Sequence, residues 1–128
     1  MNDDAKRAAP VVMYGLTRCD TCVKARKWLT AQEVPFEFID YRDTPVAPAT
    51  LLAWAQQLGG WEKLVNRAST SWRNLSEAER SPVGDEGWQA LIAQHPTLVK
   101  RPVLLTADGV VGVGFKDAVW KQRLGIAG

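Results

Sequence analysis

Soft metal ligands are scarce in this chain: two cysteines and one histidine among 128 residues. A structural zinc site needs four Cys, His or carboxylate ligands, usually supplied as two paired motifs, so no metal is expected. Long apolar runs are missing as well. None approaches the roughly 20 residues of a membrane span, and residues 1–10 are polar and include two Asp, unlike a secretory leader. The expectation is a cytoplasmic protein with no membrane contact. No Gly-rich phosphate loop is present to hold a nucleotide, flavin or nicotinamide. The formal net charge is only +2, from 16 Lys and Arg against 14 Asp and Glu, which is too weak a bias to indicate direct nucleic-acid binding. The chain also lacks internal repeats and low-complexity tracts.

What is present is enough for one folded domain. Hydrophobic residues make up 46% of the chain and six are Trp, so a real core can form without a stabilising disulfide. Domain limits of 11–128 are expected, preceded by a flexible lead over 1–10. In a reducing compartment a Cys-x-x-Cys pair is catalytic, sensory or metal-binding rather than a permanent staple. The only two cysteines form such a pair, Cys19-Asp20-Thr21-Cys22, between an apolar strand (Val11, Val12, Met13, Tyr14) and a helix.

A two-residue spacer puts both sulfurs on one helical turn, so one can attack and the other can close on it. Cys19 falls at the helix N-terminus, where unpaired N–H groups and the macrodipole favour an anion. Arg18 is adjacent, and Arg26 lies four residues beyond Cys22 on its face of the helix. Cys22, Ala25, Trp28 and Leu29 form the apolar stripe, which turns Cys22 toward the core. Cys19 is therefore read as the attacking thiol and Cys22 as the resolving one, the plainer alternative being that Cys22 is a small buried hydrophobe. His95, before Pro96, reads as a helix-end or exposed residue rather than a partner for cysteine.

Along the chain, Val11 to Tyr14 reads as a strand, Asp20 to Gln32 as a helix, and Val34 to Tyr41 as a second strand rich in aromatic and branched residues. That βαβ unit makes the two strands parallel. From 48 to 96 the pattern is helical. It comprises Ala49 to Leu58 ended by Gly59-Gly60, a short helix at the capping-box spacing of Ser76 to Glu79, and Asp85 to Gln94 with Trp88, Leu91 and Ile92 on its apolar face. Val103 to Thr106, a turn at Asp108-Gly109, and Val110 to Val113 read as a hairpin, closed by a helix from Phe115 to Leu124. The six Trp fall on these helices or at their ends and read mostly as core. The fold class is α/β, with a mixed sheet of about four strands, flanking helices, and a helical insertion between βαβ and ββα halves.

The segments Tyr14-Gly15-Leu16-Thr17-Arg18-Cys19-Asp20-Thr21-Cys22, Lys24-Ala25-Arg26-Lys27-Trp28-Leu29 and Lys100-Arg101-Pro102-Val103 resemble the arsenate reductase-like family of the thioredoxin-like superfamily. Asp40-Tyr41-Arg42, Gly60-Trp61, Asn66 to Arg73 and Gly114-Phe115-Lys116 look most like its branch of small glutathione-dependent thiol reductases. The resemblance runs from Met13 to Leu124 and implies a thioredoxin-like, glutaredoxin-like fold. It implies a cis peptide before Pro102, placing Arg101 near Cys19, where a physical reading alone favours a trans proline opening the strand.

It further implies thiol-disulfide chemistry with catalytic residues Cys19, Cys22 and Arg101. Arg18, Arg26, Arg67 and Pro102 would then bind substrate or glutathione, though a solvated surface charge is the alternative for each arginine. The protein would bind no cofactor, would take electrons from glutathione, and would act as a monomer on small-molecule or protein disulfides, with glutaredoxin a further redox partner. Arsenate is a poor expectation as substrate, because Lys116 occupies the region where arsenate reductases place a further arginine and cannot offer a bidentate fork. A different class is also implied: a redox-switched regulator of the Spx type, in which oxidation of the pair alters a surface that binds RNA polymerase.

Overall fold

The structure is a computed structural model and describes residues 10–126. Its elements are β1 (Val11–Gly15), α1 (Asp20–Ala31), β2 (Phe36–Asp40), α2 (Pro48–Leu58), α3 (Trp61–Leu64) and α4 (Thr70–Arg73). These are followed by α5 (Gly84–Gln94), a 3-10 turn (Pro96–Leu98), β3 (Val103–Leu105), β4 (Val111–Val113) and α6 (Asp117–Leu124). The described residues form two units, one comprising 10–40 and 101–126, the other Tyr41–Lys100. The expected lead over 1–10 lies, apart from Pro10, outside the described residues.

The first unit holds a mixed four-stranded sheet in the order β2-β1-β3-β4, as the α/β reading anticipates. β1 and β2 are parallel, with Val11 opposite Phe36 and Gly15 opposite Asp40. β3 runs antiparallel to both β1 and β4. Alternation along β1 turns Val11 and Met13 into a core shared with Cys22, Ala25 and Leu29 of α1, Leu104 of β3 and Trp120 of α6. The i, i+3, i+7 spacing of the three α1 residues is what one buried helical face requires. Trp28, Phe115 and Trp120 close the core in mutual edge-to-face contact.

The helical unit contains the expected insertion. Gly59, at φ 98°, ends α2 in the left-handed conformation that favours glycine. A short antiparallel bridge pairs Val65 with Val99, extended by bonds from Asn66 N to Leu98 O and from Lys100 N to Leu64 O. Trp61 stacks on Trp88, and Trp88 on Trp72.

One expected helix is absent. At Ser76 the capping box forms as the sequence predicts, with Ser76 N donating to Glu79 Oε1 at 2.8 Å and Glu79 N to Ser76 Oγ at 3.1 Å. The segment nevertheless stays a turn. Pro82 disfavours helical geometry at Ser81, and the exposed run Ser76–Ala78 has no apolar face to dock. The closing helix also starts later than expected, at Asp117, after an extended Lys116. Among the described residues no helix is long and apolar enough to cross a membrane.

Candidate active site

Where β1 leaves the sheet, the chain must turn from strand to helix within four residues. Gly15 makes the first step possible: a Cβ there would sit 2.5 Å from Cys22 Sγ. The turn is closed by Cys19 N donating to Leu16 O at 3.2 Å. Cys19 is then the N-cap of α1, extended at φ −71° and ψ 126°, and its carbonyl accepts the first helical bond from Val23 N at 2.8 Å.

Both cysteines are free thiols, Cys19 half-buried and Cys22 fully buried. Burial acts to raise the Cys19 pKa. The Cys22 backbone N–H, the Cys22 thiol, the Arg101 guanidinium and the Thr21 backbone N–H outweigh it and hold the thiol below its ordinary value. Cys22 is the reverse case. Burial, then donation to the Cys19 sulfur and repulsion by its charge, push it up to about 11, against partial relief from the Leu16 backbone and from Arg101. Cys19 therefore ionises more readily than an ordinary thiol, while Cys22 keeps its proton and donates it to the Cys19 sulfur.

The sequence-predicted residues divide by place. Arg101 reaches Cys19. Pro102 is buried, its peptide bond to Arg101 is cis, and its carbonyl accepts from Gly114 N at 2.8 Å. Arg18 is exposed with no hydrogen-bond or ion-pair partner among the described residues. Arg26 has one partner in the loop and one on β2: its Nη2 donates to Thr17 O at 2.8 Å and its guanidinium lies 4.2 Å over the Phe38 ring. Arg67 is exposed in the turn between α3 and α4 of the helical unit. His95 pairs with Glu79 at 3.1 Å in that same unit. No group of three or more His, Cys, Asp or Glu among the described residues could hold a metal.

Sequence reasoning missed Thr17 and Asp40. Thr17 N and Oγ1 both donate to Asp40 Oδ2, at 2.8 and 2.7 Å. A threonine and an aspartate 23 positions apart carry no local signal. The parallel register that sets Asp40 opposite Gly15 was the one route to pairing them.

The profile of the ArsC family matches residues 14–123. An uncharacterized protein of Haemophilus influenzae is 36% identical over 107 residues, covering 84% of this chain and 92% of that protein. The global transcriptional regulator Spx of Bacillus subtilis is 27% identical over 109 residues, covering 84% of this chain and 81% of Spx. Among solved structures, the YFFB protein superposes with a TM-score of 0.80 at 35% identity, covering 89% of this chain and 98% of that one.

Proposed function

The chain belongs to the ArsC family, and from that membership and the geometry at Cys19 we propose that it is a thiol-disulfide reductase drawing electrons from glutathione. The observation that carries the reading is the pairing of unlike thiols: a half-buried Cys19 with its pKa held down at a helix N-terminus, and a buried, protonated Cys22 directed at it. In the first step Cys19 thiolate attacks one sulfur of a disulfide. A Cys19–substrate bond forms, and the other half leaves as a thiolate. A second thiol, from Cys22 or glutathione, then attacks at Cys19 and releases the remaining substrate thiol. Glutathione restores the pair, so that two glutathiones are oxidised to one glutathione disulfide for each disulfide reduced. Arg101 keeps the thiolate charged between turnovers and offers a fork of donors to anionic groups of the incoming disulfide.

The deciding experiment is NADPH consumption coupled through glutathione reductase, with a small disulfide and, separately, arsenate as substrates. Multiple turnovers with the disulfide, lost in Cys19→Ser, are expected. A single stoichiometric oxidation without turnover would favour the second reading, a redox-switched transcriptional regulator acting on RNA polymerase. That reading has its own support in the similarity to Spx over 84% of this chain.

A further inference from the structure

The loop before Cys19 is pinned from two sides at one residue. Thr17 gives both its backbone N–H and its hydroxyl to Asp40 Oδ2, and its carbonyl accepts from Arg26 Nη2. Asp40 is the last residue of β2 and stands opposite Gly15, the last residue of β1, so its carboxylate lies where the loop leaves the sheet. Arg26 comes from the second turn of α1 and is supported on Phe38, two residues before Asp40 on the same strand. Both peptide groups flanking the Thr17 Cα are thus fixed, one through its N–H and the other through its carbonyl. Two residues later comes Cys19, whose own N–H is tied to Leu16 O.

We propose that Thr17, Asp40 and Arg26 are positioning residues that keep Cys19 Sγ aligned with its anion-stabilising donors. The proposal rests on the reductase reading for its meaning in catalysis, although the alignment is a property of the thiol itself. Charge-assisted hydrogen bonds hold geometry more strongly than neutral ones. A donor that swings out of line with its acceptor weakens steeply once the angle falls below about 120°.

The sign of the effect separates positioning from simple electrostatics. Asp40 is a carboxylate, so deleting its charge alone would relieve repulsion and make a nearby thiol easier to ionise. Loss of alignment does the opposite. The other charged or titratable groups about Cys19 are Cys22 and Arg101, with Arg18 and Asp20 flanking it in sequence. None of them is altered by the substitutions below.

The test is the pH profile of Cys19 alkylation by iodoacetamide, followed by intact mass, in wild type, Asp40→Ala, Thr17→Val and Thr17→Ser. It needs no disulfide substrate and no turnover, so it can succeed or fail independently of the coupled assay. Buried Cys22 should not compete for the reagent. Asp40→Ala is expected to move the profile up by about one pH unit, which slows alkylation roughly tenfold below the midpoint, with the alkaline plateau unchanged. Thr17→Val, which keeps the backbone bond and loses the hydroxyl, should shift it the same way by less. Thr17→Ser should restore the wild-type profile. If Asp40→Ala does not fold, Thr17→Val against Thr17→Ser decides. Unmoved profiles in folded variants, or a downward shift in Asp40→Ala, would overturn the proposal, since they are the marks of a merely structural contact or of charge removal alone.

Discussion

Around Cys19 the chain is held by contacts between single atoms, whereas the Tyr41–Lys100 unit is held by broad surfaces. In the first case Gly15 has no room for even one methyl group against Cys22 Sγ, and one oxygen of Asp40 takes both donors of Thr17. In the second, three Trp rings stack in series and two backbone bonds flank the Val65–Val99 bridge. Substitution should therefore be abrupt in its effect around Cys19 and graded in the Tyr41–Lys100 unit. A site that orients a nucleophile needs a few exact placements, while a helical unit can spread its stability over many replaceable contacts.

The largest effect is expected at Gly15. Gly15→Ala drives a Cβ to 2.5 Å from Cys22 Sγ. Because that sulfur is fully buried between strand and helix, the loss expected is about 3 kcal/mol, at the upper end of overpacking costs. Urea denaturation would measure it. Adding Cys22→Ala, which removes the offending sulfur, should recover part of the loss. Equal losses in the single and double variants would show that the close approach is not the cause.

The two thiols should respond oppositely to pH. For Cys22, burial raises the folded pKa from an ordinary 9.0 to about 11. Above pH 9 the unfolded thiol gives up its proton while the folded one retains it, so stability must fall as pH rises through that window. The loss is roughly 3 kcal/mol at most. Cys19 has the opposite sign. Its folded pKa is depressed, so its contribution is complete above the ordinary thiol value and is lost as pH falls through the folded one. Urea midpoints from pH 6 to 11 should therefore show an alkaline decline that Cys22→Ala reduces, whereas Cys19→Ser should remove a gain on the neutral side. An identical alkaline slope in Cys22→Ala would refute the assignment.

Much of this was legible in the residues. Apolar runs bounded by turn residues located the four strands, the Cys22, Ala25, Leu29 spacing identified the buried face of α1, and Gly59 marked a helix end that the structure places at the same residue. Failures have physical causes. At Ser76 the local capping signal was satisfied bond for bond, but capping satisfies only a helix end, and with no buried face and a proline close behind no helix propagated. Thr17 and Asp40 escaped because their pairing depends on strand register. Trp54, Trp61 and Trp120 are core as expected, whereas Trp72 and Trp88 are only half-buried, and ring stacking rather than simple core burial describes their role.

That stack carries the third prediction. Trp88 is the middle ring, nearly parallel to Trp61 at a centroid distance of 6.2 Å and to Trp72 at 6.0 Å. Trp88→Leu keeps an apolar side chain and deletes both aromatic pairs, each worth about 0.5–1.5 kcal/mol beyond buried area. A loss of roughly 2 kcal/mol is expected, with a matching fall in near-ultraviolet circular dichroism. An unchanged urea midpoint would mean that the rings are neighbours without energetic consequence.

The smallest effect should come from Tyr41→Phe. Its hydroxyl donates to Val99 O at 2.7 Å in a buried setting, and the bond joins residues 58 positions apart. Removing the hydroxyl leaves the Val99 carbonyl without that donor, at a cost of about 1 kcal/mol. Water is a poor substitute. The adjacent cavity, about 290 Å³ and lined by Tyr41, Pro48, Leu51, Ile92, Val99 and others, is almost wholly apolar, and an ordered water needs two or more polar partners. A urea midpoint lowered by that amount, with the Cys19 alkylation profile unmoved, is the outcome expected of a graded contact remote in role from the thiol. Should the alkylation profile shift along with the midpoint, the helical unit is not energetically separate from the nucleophile loop. The division between exact and replaceable contacts would then have to be redrawn across the whole chain.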